Sequence, residues 1–394
     1  MRRVVITGLG VATPIGIGVD NFFAGLSAGV CGIDTIENFP CKNLEVQIAG
    51  EIKGFTSQCG DRKIDFALLA TAEAMHMANE TSLCQSMLHV GSSLELFNLA
   101  ELIRQEIRPE LSELLRVNAL PNVRYPLDTA GKMIIQKFGK PLRFLNNVSA
   151  CAVGVQTIGH AFRSIRDGVC DKALAGGFDS MINPLGVGGF QLLGALSPKG
   201  CFPFDSNRSG LVLGEGAGMF FLEELQSALN GNKKIYGELC GYGSTLDAYN
   251  LSAPPEDGEG AMRAMRLALD DAKISPQQVD LINAHGTGTP LNDPAEATAI
   301  RSVFGEYATA IPIVAIKSQI GHLIAAAGAV ELASCVYSIT KNIVPGNIGL
   351  DKPGRGCELN HVTKVCPWHG DVILSNSFGF GGQNGCIVLR RYGA

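Results

Sequence analysis

The stretch Asn146-Asn147-Val148-Ser149-Ala150-Cys151-Ala152-Val153-Gly154-Val155 joins an apolar run to a periodic one. Leu142, Phe144, Leu145 and Val148 read as a buried strand, and the chain then breaks into small residues around Cys151. Val155, Ile158, Phe162 and Ile165 follow at spacings of three, four and three, which marks one face of a helix. Arg163 and Arg166 suit its last turn, and Gly168 is placed to end it. Cys151 therefore lies where a strand hands over to a helix, beside free backbone N–H groups and the positive end of a helix dipole. Such a setting lowers a thiol from its usual pKa of about 8.5 and makes a nucleophile at neutral pH. The competing reading is a buried structural cysteine, one of the most buried residue types.

The 394 residues are 46% hydrophobic, with 48 glycines and one Trp, and can form either two ordinary domains or one large composite. A formal charge of −5 argues against a nucleic-acid binder. The twelve cysteines are scattered, with no C-x-x-C pair and no HExxH, so no metal site is expected and reduced thiols are the simpler account. Met1-Arg2-Arg3 before Val4-Val5-Ile6 superficially resembles a signal peptide. Thr7, Gly8, Gly10, Thr13 and Pro14 interrupt the run, which reads instead as a first buried strand. With no stretch of 18 clean apolar residues, no membrane span is expected, and the expected location is the cytoplasm.

Gly8-Leu9-Gly10 lacks the third glycine of a dinucleotide fingerprint and reads as a tight strand-to-turn passage. Phe66, Leu69, Ala70, Ala74 and Met77 place one helix face in residues 61–83, with Arg62 and Lys63 near its start. Residues 94–139 hold charged helical pieces and Pro-containing turns, with no chemical signal. Lys172 to Gly177 returns as a strand, so the strand–helix–strand passages imply a mostly parallel sheet covered by helices. Residues 184–194 are glycine-rich and apolar and contribute Phe190, and 211–223 read as a further strand. The turn Asn230-Gly231-Asn232, within an exposed helix over 224–234, is the best internal boundary. Beyond it comes a similar succession: strand 235–241, helix 260–272, strand 279–284 and a long helix through Tyr337. Two similar α/β halves, 1–228 and 229–394, are expected.

Three further loops carry chemistry. Asn283-Ala284-His285-Gly286-Thr287-Gly288-Thr289-Pro290 presents a His at a strand end, to be weighed against a hydrogen-bonded core His. Lys317-Ser318-Gln319-Ile320-Gly321-His322 puts a second His at a helix N-terminus, where a neutral imidazole is expected and can donate a hydrogen bond to an enolate. Asn376-Ser377-Phe378-Gly379-Phe380-Gly381-Gly382 resembles a phosphate cradle, but a strand follows rather than a helix. Oxyanion donation suits its amides better.

Together the Ser149-Ala150-Cys151 elbow, His285-Gly286-Thr287-Gly288-Thr289-Pro290, Lys317 with Gly321-His322, Ala327-Gly328-Ala329-Val330-Glu331, Pro184 to Phe190 and Asn376 to Gly382 resemble the elongating β-ketoacyl-acyl carrier protein synthases of the KAS II type. The resemblance covers almost the whole chain. It implies the thiolase fold, two duplicated α/β halves in a five-layered αβαβα arrangement, normally a homodimer, with a heterodimer also possible. It implies no cofactor, the substrates riding on the 4′-phosphopantetheine of an acyl carrier protein. Cys151 would take the acyl chain, and His285 and His322 would support decarboxylation of the malonyl thioester. Lys317 would pair with Glu331, with Asp293 and Glu296 in support. Thr287 and Thr289 would touch pantetheine, and the amides of Cys151 and Phe380 would form an oxyanion hole. Phe380 resembles the family's gate, while Phe190, Phe378 and Gly379 fall at substrate-binding positions. Arg62 and Lys63 would be the basic contacts for the carrier.

The departures are Phe202, where the family often has Arg before Pro203-Phe204-Asp205; Gln383, where Thr is usual; and residues 91–135, which leave the glycine-rich pattern. The first bears on docking of the acidic carrier protein, and the other two make a specialised pathway such as a polyketide or polyene plausible. A degradative thiolase shares the implied fold but places a second Cys before a glycine run, whereas Cys386 follows one here. A chain-length-factor-like partner subunit typically loses the nucleophilic Cys.

Overall fold

The computed structural model describes residues 1–93 and 126–393, together with the backbone of Leu96–Phe97 and Val123–Tyr125. The sequence departures over 91–135 and the helical pieces expected over 94–139 thus lie largely outside the described residues. Within that range Thr129–Phe138 is helical.

Ten strands form the framework. They are β1 (Val4–Thr13), β2 (Met87–Gly91), β3 (Arg143–Asn147), β4 (Lys172–Ser180), β5 (Glu215–Glu224), β6 (Gly237–Leu246), β7 (Leu281–Asn283), β8 (Ile313–Val314), β9 (Val372–Gly379) and β10 (Gln383–Arg390). In the first half the order is β3-β2-β4-β5-β1, and in the second it is β8-β7-β9-β10-β6. Both halves pair their first three strands in parallel and the next two antiparallel. The chain has therefore built one topology twice. The halves meet edge to edge where Val4, Val5 and Ile6 pair with Leu239, Glu238 and Gly237.

Alternation along the strands sets the layers. Phe220 and Leu222 of β5, and Ile387 and Leu389 of β10, share one core with Val155, Ile158 and Phe162 of α2 (Val153–Arg166). Leu332 and Val336, from the helix Ala327–Lys341, complete that core. On the opposite face, Met219 and Phe221 pack on Phe66, Ala70 and Ala74 of α1 (Arg62–Met77). Leu374 and Val388 pack on Ala264, Ala268 and Ile300, from the helices Glu259–Ala272 and Asn292–Phe304. Helices, sheet, two central helices, sheet and helices make five layers. In chain order the other helices that frame the site are α3 (Pro184–Leu192), α4 (Glu259–Ala272), α5 (Asn292–Phe304) and α6 (Ala327–Lys341), and Val19–Ala28, Leu225–Asn230 and Lys317–Ile320 are helical as well.

The small residues that open the central helices allow them to touch. A Cβ on Gly154 would sit 2.9 Å from the Ala325 carbonyl oxygen, and one on Gly328 would sit 2.6 Å from a Val155 methyl. The duplication extends to backbone detail. Ala150 and Ile324 both take φ of +46°, and each opens a one-turn 3₁₀ segment that feeds its central helix. Ala325 thus stands where the other half has Cys151.

Several expectations are corrected. β3 is not a buried strand: it is the last strand of the order, and Leu142, Leu145 and Val148 are exposed. The sheets are mixed rather than mostly parallel, because the passage from β4 to β5 leaves and re-enters at the same end of the sheet. Gly8 and Gly10 do not make a turn, since β1 runs straight through them. Side chains there would lie 2.1 and 2.0 Å from the carbonyl oxygens of Ala74 and Ala70, so the glycines let α1 settle on the strand. α1 ends at Met77, and Leu69 faces solvent.

Candidate active site

Five connections leave the carboxyl ends of β3, β4, β7, β8 and β9, and all converge on one cavity. That is the usual place for a site in an α/β sheet. Cys151, His285, Thr287, Thr289, His322, Phe378, Gly379 and Phe380 all line the cavity, which measures about 260 Å³.

Cys151 is held at a sharp elbow by the left-handed Ala150 before it. It is packed among Ile182, Val187, Leu196, Leu211, Leu213 and Ile324. Burial in this apolar shell pushes the thiol up to about 12, against the pull of a hydrogen bond from the Phe380 amide and the Lys317 charge. The lowered thiol expected from the helix dipole is not found, because desolvation outweighs the local amides. Gly379 leaves room at the Cys151 amide, where a Cβ would lie 3.0 Å from its nitrogen.

His285 follows β7 on a loop drawn tight by two buried carboxylates of α5. Glu296 accepts from the amides of His285 and Gly286, both at 2.8 Å. Asp293 accepts from the amides of Phe204 (2.7 Å), Thr287 (3.0 Å) and Gly288 (3.1 Å). Burial raises both carboxyls, Glu296 to about 7. The hydroxyls of Thr287 and Thr289 lie 2.9 Å apart.

Lys317 is fully buried and holds three partners at once: Glu331, the His285 carbonyl oxygen and His285 Nδ1, the last at 3.2 Å. An ammonium has three protons to match. His285 Nδ1 therefore accepts, and the proton sits on Nε2. At His322 the Ile324 amide donates to Nδ1 at 3.1 Å, which fixes the same tautomer. Burial first, and then the Lys317 charge, hold both imidazoles well below their ordinary value. The neutral His322 expected from its helix terminus is found, with desolvation as the larger cause. The two rings are 5.1 Å apart and nearly perpendicular. Two neutral Nε2–H donors beside a thiol suit a reaction that passes through an enolate.

The profile described as "Beta-ketoacyl synthase, N-terminal domain" matches residues 1–110 and 133–228, and "Beta-ketoacyl synthase, C-terminal domain" matches 236–351. The chain is 36% identical to 3-oxoacyl-[acyl-carrier-protein] synthase 2 of Coxiella burnetii, covering 99% of both chains. It is 34% identical to the protein of the same name from Staphylococcus aureus, over 100% of this chain and 99% of that one. The chain belongs to the β-ketoacyl synthase family. Among solved structures it superposes on the ishigamide ketosynthase/chain length factor with a TM-score of 0.91 at 32% identity, covering 100% of both. A ketosynthase in a complex with a type II polyketide acyl-carrier protein gives 0.88 at 31% identity, with 99% of each chain covered.

Two basic residues of this β-ketoacyl synthase do not stand where a docking partner could reach them. Arg62 turns inward to the wholly buried Glu215, with Nε 3.0 Å from its carboxylate, and donates to the carbonyl oxygens of Phe55 and Ile52 at 2.6 and 2.9 Å. Lys63 is buried, 3.8 Å from Asp61. A carboxylate sealed under α1 requires a cation beside it, which is the structural work Arg62 does. Phe190 does not line this cavity directly and stacks instead against the Phe380 ring, which does, with centroids 6.1 Å apart.

Sequence reasoning missed the loop Asp247 to Pro254, which lines the cavity mouth, and the polar cluster Ser149, Gln156, Ser244 and Gln383 behind the elbow. The available signal for the cluster was Gln156 itself, a carboxamide next to Val155 in the apolar first turn of the helix. Among the described residues no three His, Cys, Asp or Glu are placed to hold a metal, and no helix is long and apolar enough to cross a membrane.

Proposed function

We propose that this β-ketoacyl synthase performs a decarboxylative Claisen condensation between an acyl group on Cys151 and a malonyl group on an acyl carrier protein. The observation that carries this reading is the convergence of Cys151 with two neutral, Nε2-protonated histidines on one cavity. In the first half-reaction, Cys151 sulfur attacks the thioester carbonyl of an acyl-phosphopantetheine. The bond to the carrier sulfur breaks, and the thiol proton of Cys151 ends on the departing carrier thiol. In the second, the bond to the malonyl carboxylate breaks, CO₂ leaves and its electron pair moves into an enolate. The Nε2–H groups of His285 and His322 stabilise that enolate oxygen. The enolate carbon attacks the acyl-Cys carbonyl, whose oxyanion rests on the amides of Cys151 and Phe380. Collapse releases the 3-oxoacyl product, and the thiolate takes up one proton.

Lys317 holds His285 and Glu331, and Asp293 and Glu296 hold the loop that presents Thr287 and Thr289 to the pantetheine arm. Phe380, seated on Phe190, separates the acyl and malonyl sites, and Phe378 and Gly379 complete the wall. The substrates arrive on 4′-phosphopantetheine and no further cofactor takes part, in a cytoplasmic enzyme with halves 1–228 and 229–394. The duplicated strand order supports that division. The exposed edge of β3 supports pairing with a second copy. Retention of Cys151, His285, Lys317 and His322 favours a synthase over a partner subunit.

Intact mass after incubation with a panel of acyl-carrier thioesters, beside Cys151→Ala, tests this. A single acyl adduct absent from the variant is expected. No adduct from any chain, on folded protein, would sink the synthase reading.

A further inference from the structure

We propose that Gln156 is a positioning residue that fixes the Phe380 turn to the Cys151 elbow through Gln383, an inference that rests on the condensation reading above. Gln156 lies on α2 with only 7% of its surface exposed. Its Oε1 accepts from the Ser149 hydroxyl at 2.5 Å, two residues before Cys151. Its Nε2 donates to Gln383 Oε1 at 3.4 Å and to Ser244 Oγ at 3.3 Å. Ser244 Oγ in turn donates to the Asn384 carbonyl oxygen at 3.1 Å. One buried carboxamide thus spans the two segments that carry the oxyanion donors, since Gln383 stands three residues after Phe380.

The turn between needs such an anchor. Gly381 and Gly382 both take φ of +76°, in the left-handed region, and glycine confers wide backbone freedom there. On its outer side the turn is held by two backbone hydrogen bonds, Gly381 N to Leu251 O at 2.8 Å and Asp247 N to Gly382 O at 2.9 Å. Gln383 ties the turn on the side of the nucleophile. A carboxamide is the group that can accept from Ser149 and donate to Gln383 at once. A Thr at 383, as the resemblance expects, is too short to place an acceptor where the Gln383 side chain places its own.

The test compares two reactions of Cys151 in the full-length protein: acyl transfer from S-acyl-N-acetylcysteamine thioesters, which needs the oxyanion hole, and alkylation by iodoacetamide, which does not. Removing an oxyanion donor outright slows acyl transfer about 10²–10³-fold, so a displaced donor should slow it about tenfold. Gln156→Leu and Gln383→Thr are each expected to show that loss, with alkylation slowed by a smaller factor, because the Phe380 amide also draws the Cys151 thiol toward thiolate. The double variant is expected to be no slower than either single one, because both break one linkage. If Gln156→Leu fails to fold, Gln383→Thr alone carries the comparison.

Single variants that acylate at the wild-type rate overturn the proposal, and so does a double variant slowed by the product of the two losses. Acylation and alkylation falling by the same factor also overturn it, since that is what a loss of thiolate or a merely structural role would give. A wild type that accepts no acyl group from any thioester overturns the condensation reading as well. Unslowed variants beside an active wild type overturn this inference alone.

Discussion

Cys151 is caught between two influences of opposite sign. Its apolar surroundings favour the thiol, while the Phe380 amide and the Lys317 charge favour the thiolate, and burial is the larger. The consequence is a nucleophile stored protonated and sheltered from adventitious chemistry. A group far below its pKa gains thiolate tenfold with each pH unit, so iodoacetamide alkylation of Cys151 should climb about tenfold per unit from pH 7 to 10, without the plateau an ordinary thiol shows near ~8.5. A plateau below pH 9 would mean that the amide and the ammonium win after all. The residue types at the site were legible in the sequence because Cys151, His285 and His322 each stand in a run of small residues at an element's end. The thiol's raised pKa was not legible, since a helix dipole belongs to the local sequence while desolvation is the sum of distant side chains. Arg62 was misread for the same reason. Its partner Glu215 is on β5, remote in sequence from α1, and only the folded chain shows that the cation faces inward.

At the scale of the element, the two central helices meet through glycine and alanine. That closeness brings Cys151, at the head of α2, beside the His322 segment that leads into α6. Gly154→Ala would force a methyl to 2.9 Å from the Ala325 carbonyl oxygen and the Ala329 nitrogen, both backbone atoms that cannot swing aside. Overpacking of this kind costs about 1–3 kcal/mol, more than the ~1 kcal/mol that Ala gains over Gly in a helix. Gly188→Ala on α3 meets nothing within 4 Å, so it isolates the helix-propensity effect alone. Urea unfolding should show Gly154→Ala less stable than wild type and Gly188→Ala unchanged or more stable. Equal midpoints for the two would refute close packing at the crossing. Helix faces were readable from spacing, as Val155, Ile158, Phe162 and Ile165 show, because periodicity records one-sided burial. The course of β1 through Gly8 and Gly10 was hidden, because glycine marks a turn and a close approach equally well.

At the scale of the whole molecule, the outer side of β8 is covered where Ile313 bridges to His361, and among the described residues β3 is left with a single neighbour. The β3 edge is flanked by exposed apolar side chains: Leu142, 62% accessible, Leu145, 39%, and Val148, 52%. An open edge carrying apolar residues invites pairing with another strand. A two-fold axis through the middle of β3 would lay two copies antiparallel. Leu145 would then face its own copy, and Arg143 would stand opposite Asn147, the isologous arrangement that closes after two subunits. Sequence periodicity read this segment as buried, and in such an assembly the reading would hold for the dimer while failing for the single chain. The wild-type protein should sediment at twice 41.6 kDa. Leu145→Lys, which sets two like charges against each other at the axis, should sediment as the single chain with secondary structure retained. A wild type that stays single at micromolar concentration would show that the β3 edge does not recognise itself. A different subunit would then have to cover it. A Leu145→Lys protein that still pairs would move the interface off β3 altogether.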